Sequence, residues 1–304
     1  MKYVYVIVSN GDYFYVEQAY ISIFSLLYHN PKAEIVIATD KETYENLTRN
    51  NNKIFKSIQN FIIIKTPDYF TSKQKSRFIK TSLRLKISGD FVYLDVDTII
   101  LGELNNLFNI DCHIGAVKDC HGMLKYNFQY SYYLELTQNK SVRIKDYYNT
   151  GVLIVKDSNK SRLFFYEWHK KWLHELKKND YIDDQPSFNI INKRFNIIKN
   201  IDDIYNCQVL VPKLSDKIKN KAVILHYFAN SNKLKRIYFP LNDNVVFEKI
   251  KLNGIDSEIN RIIMKPIDYL IIKNEKQNSV QLLKAYFFRW YVKINKLLRI
   301  NKVF

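Results

Sequence analysis

Phe91-Val92-Tyr93-Leu94-Asp95-Val96-Asp97-Thr98 joins four hydrophobic residues to two carboxylates one residue apart. β-Branched and aromatic residues in a short run, with Ile99-Ile100 beyond, read as a buried strand that ends in charge. Side chains alternate along a strand, so Asp95 and Asp97 are expected to share a face and to reach one divalent cation. Hard oxygen ligands suit Mg²⁺ or Mn²⁺. In open α/β sheets, ligands gather at the carboxyl ends of strands. The stretch therefore reads as the metal-holding element of an enzyme.

Outward from it, strand-like and helix-like runs alternate over about the first 230 residues. Tyr3–Val8, Glu34–Ala38, Phe61–Ile64, Phe91–Leu94, Ile114–Val117, Gly151–Val155 and Ala222–Leu225 read as strands. Val16, Ala19, Tyr20, Ile23, Phe24 and Leu27 recur at helical spacing, which predicts a helix over Val16–Tyr28. Ser161–Lys178 is a second expected helix, with Trp168 and Trp172 one turn apart and read as core. The alternation predicts an α/β sheet with helices on its faces.

Composition narrows the function classes. Only seven glycines are present, and none forms GxGxxG, GxxxxGK[ST] or GxSxG. Glycine-loop dinucleotide folds, P-loop NTPases and nucleophile-elbow hydrolases are thereby disfavoured. The net charge of +17 comes with joint abundance of Lys, Asn, Ile and Tyr, a signature of AT-rich coding sequence. A basic surface still favours phosphates and acidic headgroups. The three cysteines, 112, 120 and 207, have no CxxC spacing and fit reduced thiols. Tyr3–Val8 is too short for a signal-peptide core, and no stretch reaches 18 apolar residues. An intracellular, cytoplasmic protein is expected.

Companions to the carboxylate pair strengthen the enzyme reading. Tyr148-Asn149-Thr150-Gly151-Val152-Leu153-Ile154 reads as a small polar turn before a buried strand. Asp183-Asp184-Gln185 leads into Ser187-Phe188-Asn189, and Val223-Ile224-Leu225 delivers His226-Tyr227. A neutral imidazole is a good ligand for Mn²⁺, so Asp95, Asp97 and His226 form the expected metal set.

With these residues in order, the chain resembles the retaining glycosyltransferases of the GT-A fold called family 8, which include bacterial galactosyl- and glucosyltransferases of cell-surface glycans. The family's YLDxD appears as Tyr93 to Asp97, its N-[AST]-G-V-[LI] block as Asn149 to Leu153, its D-Q-x-x-x-N block as Asp184 to Asn189, and its late HY as His226-Tyr227. Ser9-Asn10-Gly11-Asp12-Tyr13 and Ser22-Ile23-Phe24-Ser25-Leu26 look like the nucleotide-contacting amino terminus. The resemblance spans about residues 3–235. It implies a GT-A-type domain over 1–245, with a UDP-sugar as donor and Mn²⁺ or Mg²⁺ as cofactor. It also implies Asp184 and Gln185 against the donor sugar, where Gln185 either stabilises a developing cation or acts as a weak nucleophile. Ser9, Asn10, Tyr13 and Asn149 would serve the nucleotide side. The family's Lys-Pro-Trp after the histidine is altered: Ala229 stands at the usual Gly, Lys233 is one place late and Pro-Trp is absent. Lys80 and Arg84 are alternative cations for the diphosphate.

Past residue 245 the character changes. Gln277–Lys302 carries Leu282, Leu283, Tyr286, Phe287, Trp290 and Ile294 among Lys and Arg, with no acid. This reads as a basic amphipathic helix, lying either in an anionic membrane interface or on the domain with a solvated basic back. The first option makes residues 246–304 a membrane-association segment. It would hold the enzyme on the inner face of the plasma membrane, near glycan or lipid-linked acceptors. Two rival classes stand beside the transferase. Asp95-Val96-Asp97-Thr98-Ile99 also matches the DxDxT of haloacid-dehalogenase-type phosphatases, with Asp95 as nucleophile, although that motif normally opens its domain. A basic nucleic-acid-binding module is the other, and the first 240 residues offer no recognised module of that kind; no nucleic-acid partner is expected.

Overall fold

In a computed structural model the structure describes residues 2–9, 14–49, 55, 58, 60–122, 129–136, 146–209, 221–228 and 237–272. The strands are β1 (Lys2–Val6), β2 (Glu34–Thr39), β3 (Asn60–Ile63), β4 (Phe91–Leu94), β5 (Thr98–Ile100), β6 (Ile114–Lys118), β7 (Tyr148–Val155), β8 (Ile198–Asn200), β9 (Cys207–Gln208), β10 (Ile224–His226), β11 (Ile237–Tyr238) and β12 (Ile271–Ile272). The helices are α1 (Phe14–His29), α2 (Lys41–Arg49), α3 (Ser72–Lys86), α4 (Gln129–Leu136), α5 (Asn159–Asn179), α6 (Gln185–Phe195), α7 (Asn244–Asn253) and α8 (Ser257–Met264).

The main sheet has seven strands in the order β3-β2-β1-β4-β7-β6-β8. β1 pairs in parallel with both β2 and β4, whereas β7 runs antiparallel to β4 and β6. Strand alternation divides the core into two layers. Tyr3, Tyr5, Val92, Leu94, Val152 and Ile154 join α1 residues such as Ala19, Ile23 and Leu26 on one face. Val4, Val6, Phe91, Tyr93, Leu153 and Val155 meet Ile79 and Leu83 of α3, and Phe164 and Trp168 of α5, on the other. Both faces are covered, which is why β4 and the Val152–Val155 half of β7 are apolar runs without polar alternation. The mixed α/β architecture expected from the alternation is the one observed, and all seven expected strands are present within a few residues.

Position in this sheet creates the cleft. From β1 the chain first moves to β2 on one side, and β4 returns on the other. Such a switch point opens a crevice at the carboxyl ends of the two strands, and Asp95 follows β4 directly. A second sheet, β5-β10-β9, stands beside it. Its antiparallel register sets Thr98 opposite His226, and the Tyr227 amide donates to the Asp97 carbonyl at 3.1 Å.

Several local expectations are corrected. The strand ends at Leu94, and Asp95-Val96-Asp97 is a turn into β5; the two carboxylates converge through that turn, not through strand alternation. Asn149, Thr150 and Gly151 belong to β7 and form no turn before it. Ser22 and Ser25 do not face a nucleotide. They are buried, bonded to Thr98 Oγ1 at 2.9 Å and to the Ile100 amide at 3.0 Å, and so tie α1 to β5.

Trp168 and Trp172 are fully buried, as core residues should be. Their indole N–H groups donate to the carbonyls of Asp184 (3.0 Å) and Ile182 (2.8 Å), so the core helix α5 also fastens the segment that enters α6. Beyond β11, α7 and α8 pack on α1: Val246, Phe247, Ile259 and Ile262 share its hydrophobic cluster. No described helix is long and apolar enough to cross a membrane. The basic stretch 277–302 lies outside the described residues.

Candidate active site

A cleft of about 500 Å³ opens at the switch point, lined among others by Val6, Val8, Arg77, Lys80, Asp95, Asp97, Asn149, Gly151, Asp184, Gln185 and His226. Seven of the residues singled out in the sequence therefore meet in one place. Asp95, Asp97 and His226 each offer a ligand atom, all within 4.8 Å of one another. His226 Nε2 lies 3.2 Å from Asp97 Oδ1. Burial alone would depress the imidazole pKa, but the Asp97 charge and hydrogen bond outweigh it and hold the pKa above the ordinary value. Two carboxylates and an imidazole converging in a cleft form a donor set that fits Mn²⁺ or Mg²⁺.

A layer of polar side chains behind the set orients it. His226 Nδ1 faces Asn206 Oδ1 at 3.0 Å. Asn206 Nδ2 donates to Asn149 Oδ1 at 2.9 Å, and Asn149 Nδ2 donates to Asp119 at 2.7 Å. This line of bonds makes Asn206 Oδ1 an acceptor, so Nδ1 carries the hydrogen and Nε2 is the nitrogen that could hold a metal. Asn149 thus sits in the wall of the cleft and also in the line that sets His226. Gly151 is required here by contact: a Cβ would come 2.8 Å from His226 Nδ1 and collide with the adjoining ring carbon.

The other half of the cleft is a buried ion cluster. Lys80 Nζ contacts Asp95 Oδ1 (3.2 Å), Thr150 Oγ1 (3.3 Å) and Asp184 Oδ2 (3.5 Å). Arg77 Nε lies 3.0 Å from the other Asp184 oxygen. Burial would raise the Asp184 pKa, but Lys80 and then Arg77 lower it below the usual carboxylate range. Gln185 Oε1 accepts from the Thr150 amide at 3.2 Å. Asn189, the last residue of the D-Q-x-x-x-N block, bonds both the amide (2.6 Å) and the carbonyl (2.9 Å) of Tyr148, and so pins α6 to β7. The Tyr93 hydroxyl donates to Asp95.

One candidate is displaced. Arg84 lies away from the cleft, where its guanidinium donates to the Ile87 and Gly89 carbonyls, pairs with Asp157 at 3.3 Å and stacks on Phe91. α3 runs back along β4, and the four residues from Lys80 to Arg84, a rise of about 6 Å, carry the side chain from the Tyr93 end to the Phe91 end. Ser9 is held through its backbone by Thr43, whose hydroxyl accepts from the Ser9 amide at 2.9 Å. Asn10, Tyr13 and Lys233 lie outside the described residues. Arg77 was missed, although Lys73, Arg77, Lys80 and Arg84 recur every three or four residues along one side of α3. Asp119, Asn206 and Phe228 carried no comparable signal.

The model of the family described as "Glycosyl transferase family 8" matches residues 6–233, about three-quarters of the sequence. The chain belongs to glycosyltransferase family 8. It is a glycosyltransferase, and membership displaces the phosphatase alternative. Similar proteins agree. A putative glycosyltransferase of Haemophilus influenzae is 25% identical over 292 residues, covering 87% of this chain and 79% of its own length. Among solved structures, galactosyltransferase LgtC, in complex with donor and acceptor sugar analogs, aligns with a TM-score of 0.50 at 15% identity, over 75% of this chain and 87% of its own. Apo-form glycosyltransferase GlyE of Streptococcus pneumoniae gives 0.52 at 19%, over 90% and 65%. Both likenesses are likenesses of fold, the GT-A fold.

Proposed function

We propose that this family 8 enzyme moves a hexose, glucose or galactose, from a UDP-sugar to a cell-surface glycan acceptor, with retention at the anomeric carbon and with Mn²⁺ or Mg²⁺ in the cleft. The observation that carries the metal reading is the convergence of Asp95, Asp97 and His226 at the sheet's switch point. A divalent cation bound there supplies Lewis-acid neutralisation of the diphosphate leaving group. Asp95, Asp97 and His226 would hold it, and Asn206 keeps the imidazole in the right tautomer. Lys80 joins Asp95 to Asp184, so the metal end and the sugar end of the cleft share one rigid ion network. Asp184 stays ionised beside Lys80 and Arg77 and offers negative charge to a developing oxocarbenium. With Oε1 engaged by Thr150, Gln185 is better supported as a fixed dipole than as a nucleophile.

The test is thermal stabilisation by UDP, UDP-glucose and UDP-galactose, each with and without Mn²⁺. A ligand at a hundred times its Kd stabilises by about 2.7 kcal/mol, a shift of several degrees. A shift that requires both nucleotide and Mn²⁺ is the expected result; no response to any uridine nucleotide overturns the donor assignment. Because the metal-free imidazole holds its proton above the ordinary pH, a cation must displace that proton. Metal affinity should therefore weaken as pH falls below neutrality.

The unit from residue 246 onward is read as the part that brings the enzyme to its acceptor. Its stretch 277–302 combines basic and aromatic residues without acids, which supports docking on an anionic membrane surface. Deleting 277–304 should release the protein from phosphatidylserine-containing vesicles; unchanged binding overturns the docking reading.

A further inference from the structure

We infer that Phe228 and Asn242 are positioning residues for the metal-ligating imidazole, which makes the segment 239–242, beyond the family match, a working part of the active site. The inference rests on the metal reading above.

Phe228 has φ of +59°. For a bulky side chain this left-handed conformation costs about 1–2 kcal/mol, and it persists only where surrounding contacts impose it. The next contacts explain why it is kept. The Phe228 ring lies stacked on the His226 imidazole, with centroids 4.3 Å apart and planes 17° from parallel, and it lines the cleft. Residues two apart along an extended chain share a face, and here the two rings on that face approach closely enough to stack, with the left-handed step at Phe228 as the backbone on which the contact is made.

What imposes that step comes from far along the sequence. Asn242, in the short turn Pro240–Asn242, donates from Nδ2 to the Phe228 carbonyl at 3.0 Å. Asn242 Oδ1 in turn accepts from Gln18 Nε2 of α1 at 2.8 Å, and both side chains are buried. Phe239, just before the same turn, packs on Tyr227 with ring centroids 4.9 Å apart. The two residues that follow His226 are thus both gripped by the segment 239–242. With Asn206 on Nδ1 and Gly151 against the ring edge, the stacked phenyl removes the remaining freedom of the imidazole to turn. Support behind a ligand of this kind commonly changes metal affinity 10- to 100-fold.

Full-length wild type, Phe228→Gly, Phe228→Tyr and Asn242→Leu are compared in two readouts. One is the melting temperature without metal. The other is the Mn²⁺ concentration giving half-maximal stabilisation at fixed UDP. Phe228→Gly removes the ring but relieves the backbone strain. It is expected to raise the Mn²⁺ requirement at least about tenfold while its metal-free melting temperature stays level or rises. Phe228→Tyr should restore the wild-type requirement, and Asn242→Leu should raise it. An unchanged Mn²⁺ requirement in Phe228→Gly, or a Phe228→Tyr protein as impaired as the glycine variant, overturns the inference. Wild type that shows no Mn²⁺ dependence overturns the metal reading itself, and this inference with it.

Discussion

Asp97→Asn should lose at least about a hundredfold in kcat/KM, equivalent to roughly 3 kcal/mol of transition-state stabilisation, with the fold intact. Asn keeps the shape of the side chain, and the Tyr227 amide bonds the Asp97 backbone carbonyl, which the substitution leaves in place. What disappears is one anionic ligand and the charge that raises the His226 pKa. The Mn²⁺ requirement should rise together with the loss of rate. Circular dichroism and the metal-free melting temperature check the fold, and initial rates across a Mn²⁺ series check the chemistry. Activity retained at low Mn²⁺ would sink the assignment of Asp97 as a ligand.

Asp184→Ala should cost about 3 kcal/mol of stability, because it leaves the buried Lys80 and the half-buried Arg77 without their shared carboxylate while Lys80 keeps Asp95. For a chain of this size that is a fall on the order of 10 °C in melting temperature. Asp184→Asn keeps the volume and the bond from the Thr150 hydroxyl, and should fall less. The pH dependence carries a sign. The folded-state pKa of Asp184 lies below its unfolded value, so its contribution is full above the usual carboxylate range, near pH 4, and is lost as pH falls through the folded value. The stability gap between wild type and Asp184→Asn should therefore narrow in acid. Denaturant titrations at pH 7 and in acid measure it, and a gap that widens in acid would refute the ion-cluster account.

Much of this architecture is legible in local pattern. Strands such as Phe91–Leu94 announce themselves because a strand covered on both faces must be apolar throughout. Helix α1 does so because burying one side imposes a three-to-four-residue period. The order of the motifs along the chain points to the family by itself. Their convergence follows from the switch point between β1 and β4, to which the chain's apolar runs commit it.

Other parts are set by contacts that no short window contains. Asp95 and Asp97 read as two residues of a strand, and only the pairing of β5 with β10 bends them into a turn that faces His226. Lys80 and Arg84 look equivalent on the page. They differ because α3 runs antiparallel to β4, so one turn of helix separates the cleft from the far end of the strand. Arg77 was within reach of a periodicity argument. Asn206 and Asn242 were not, since each acts on His226 or its neighbours across 20 and 14 residues respectively. The sequence by itself determined the α/β alternation, the family and the metal-ligand candidates, because burial and motif order are local properties. Tertiary structure alone decided which cations enter the cleft and what holds the imidazole still, because those depend on strand register and helix direction.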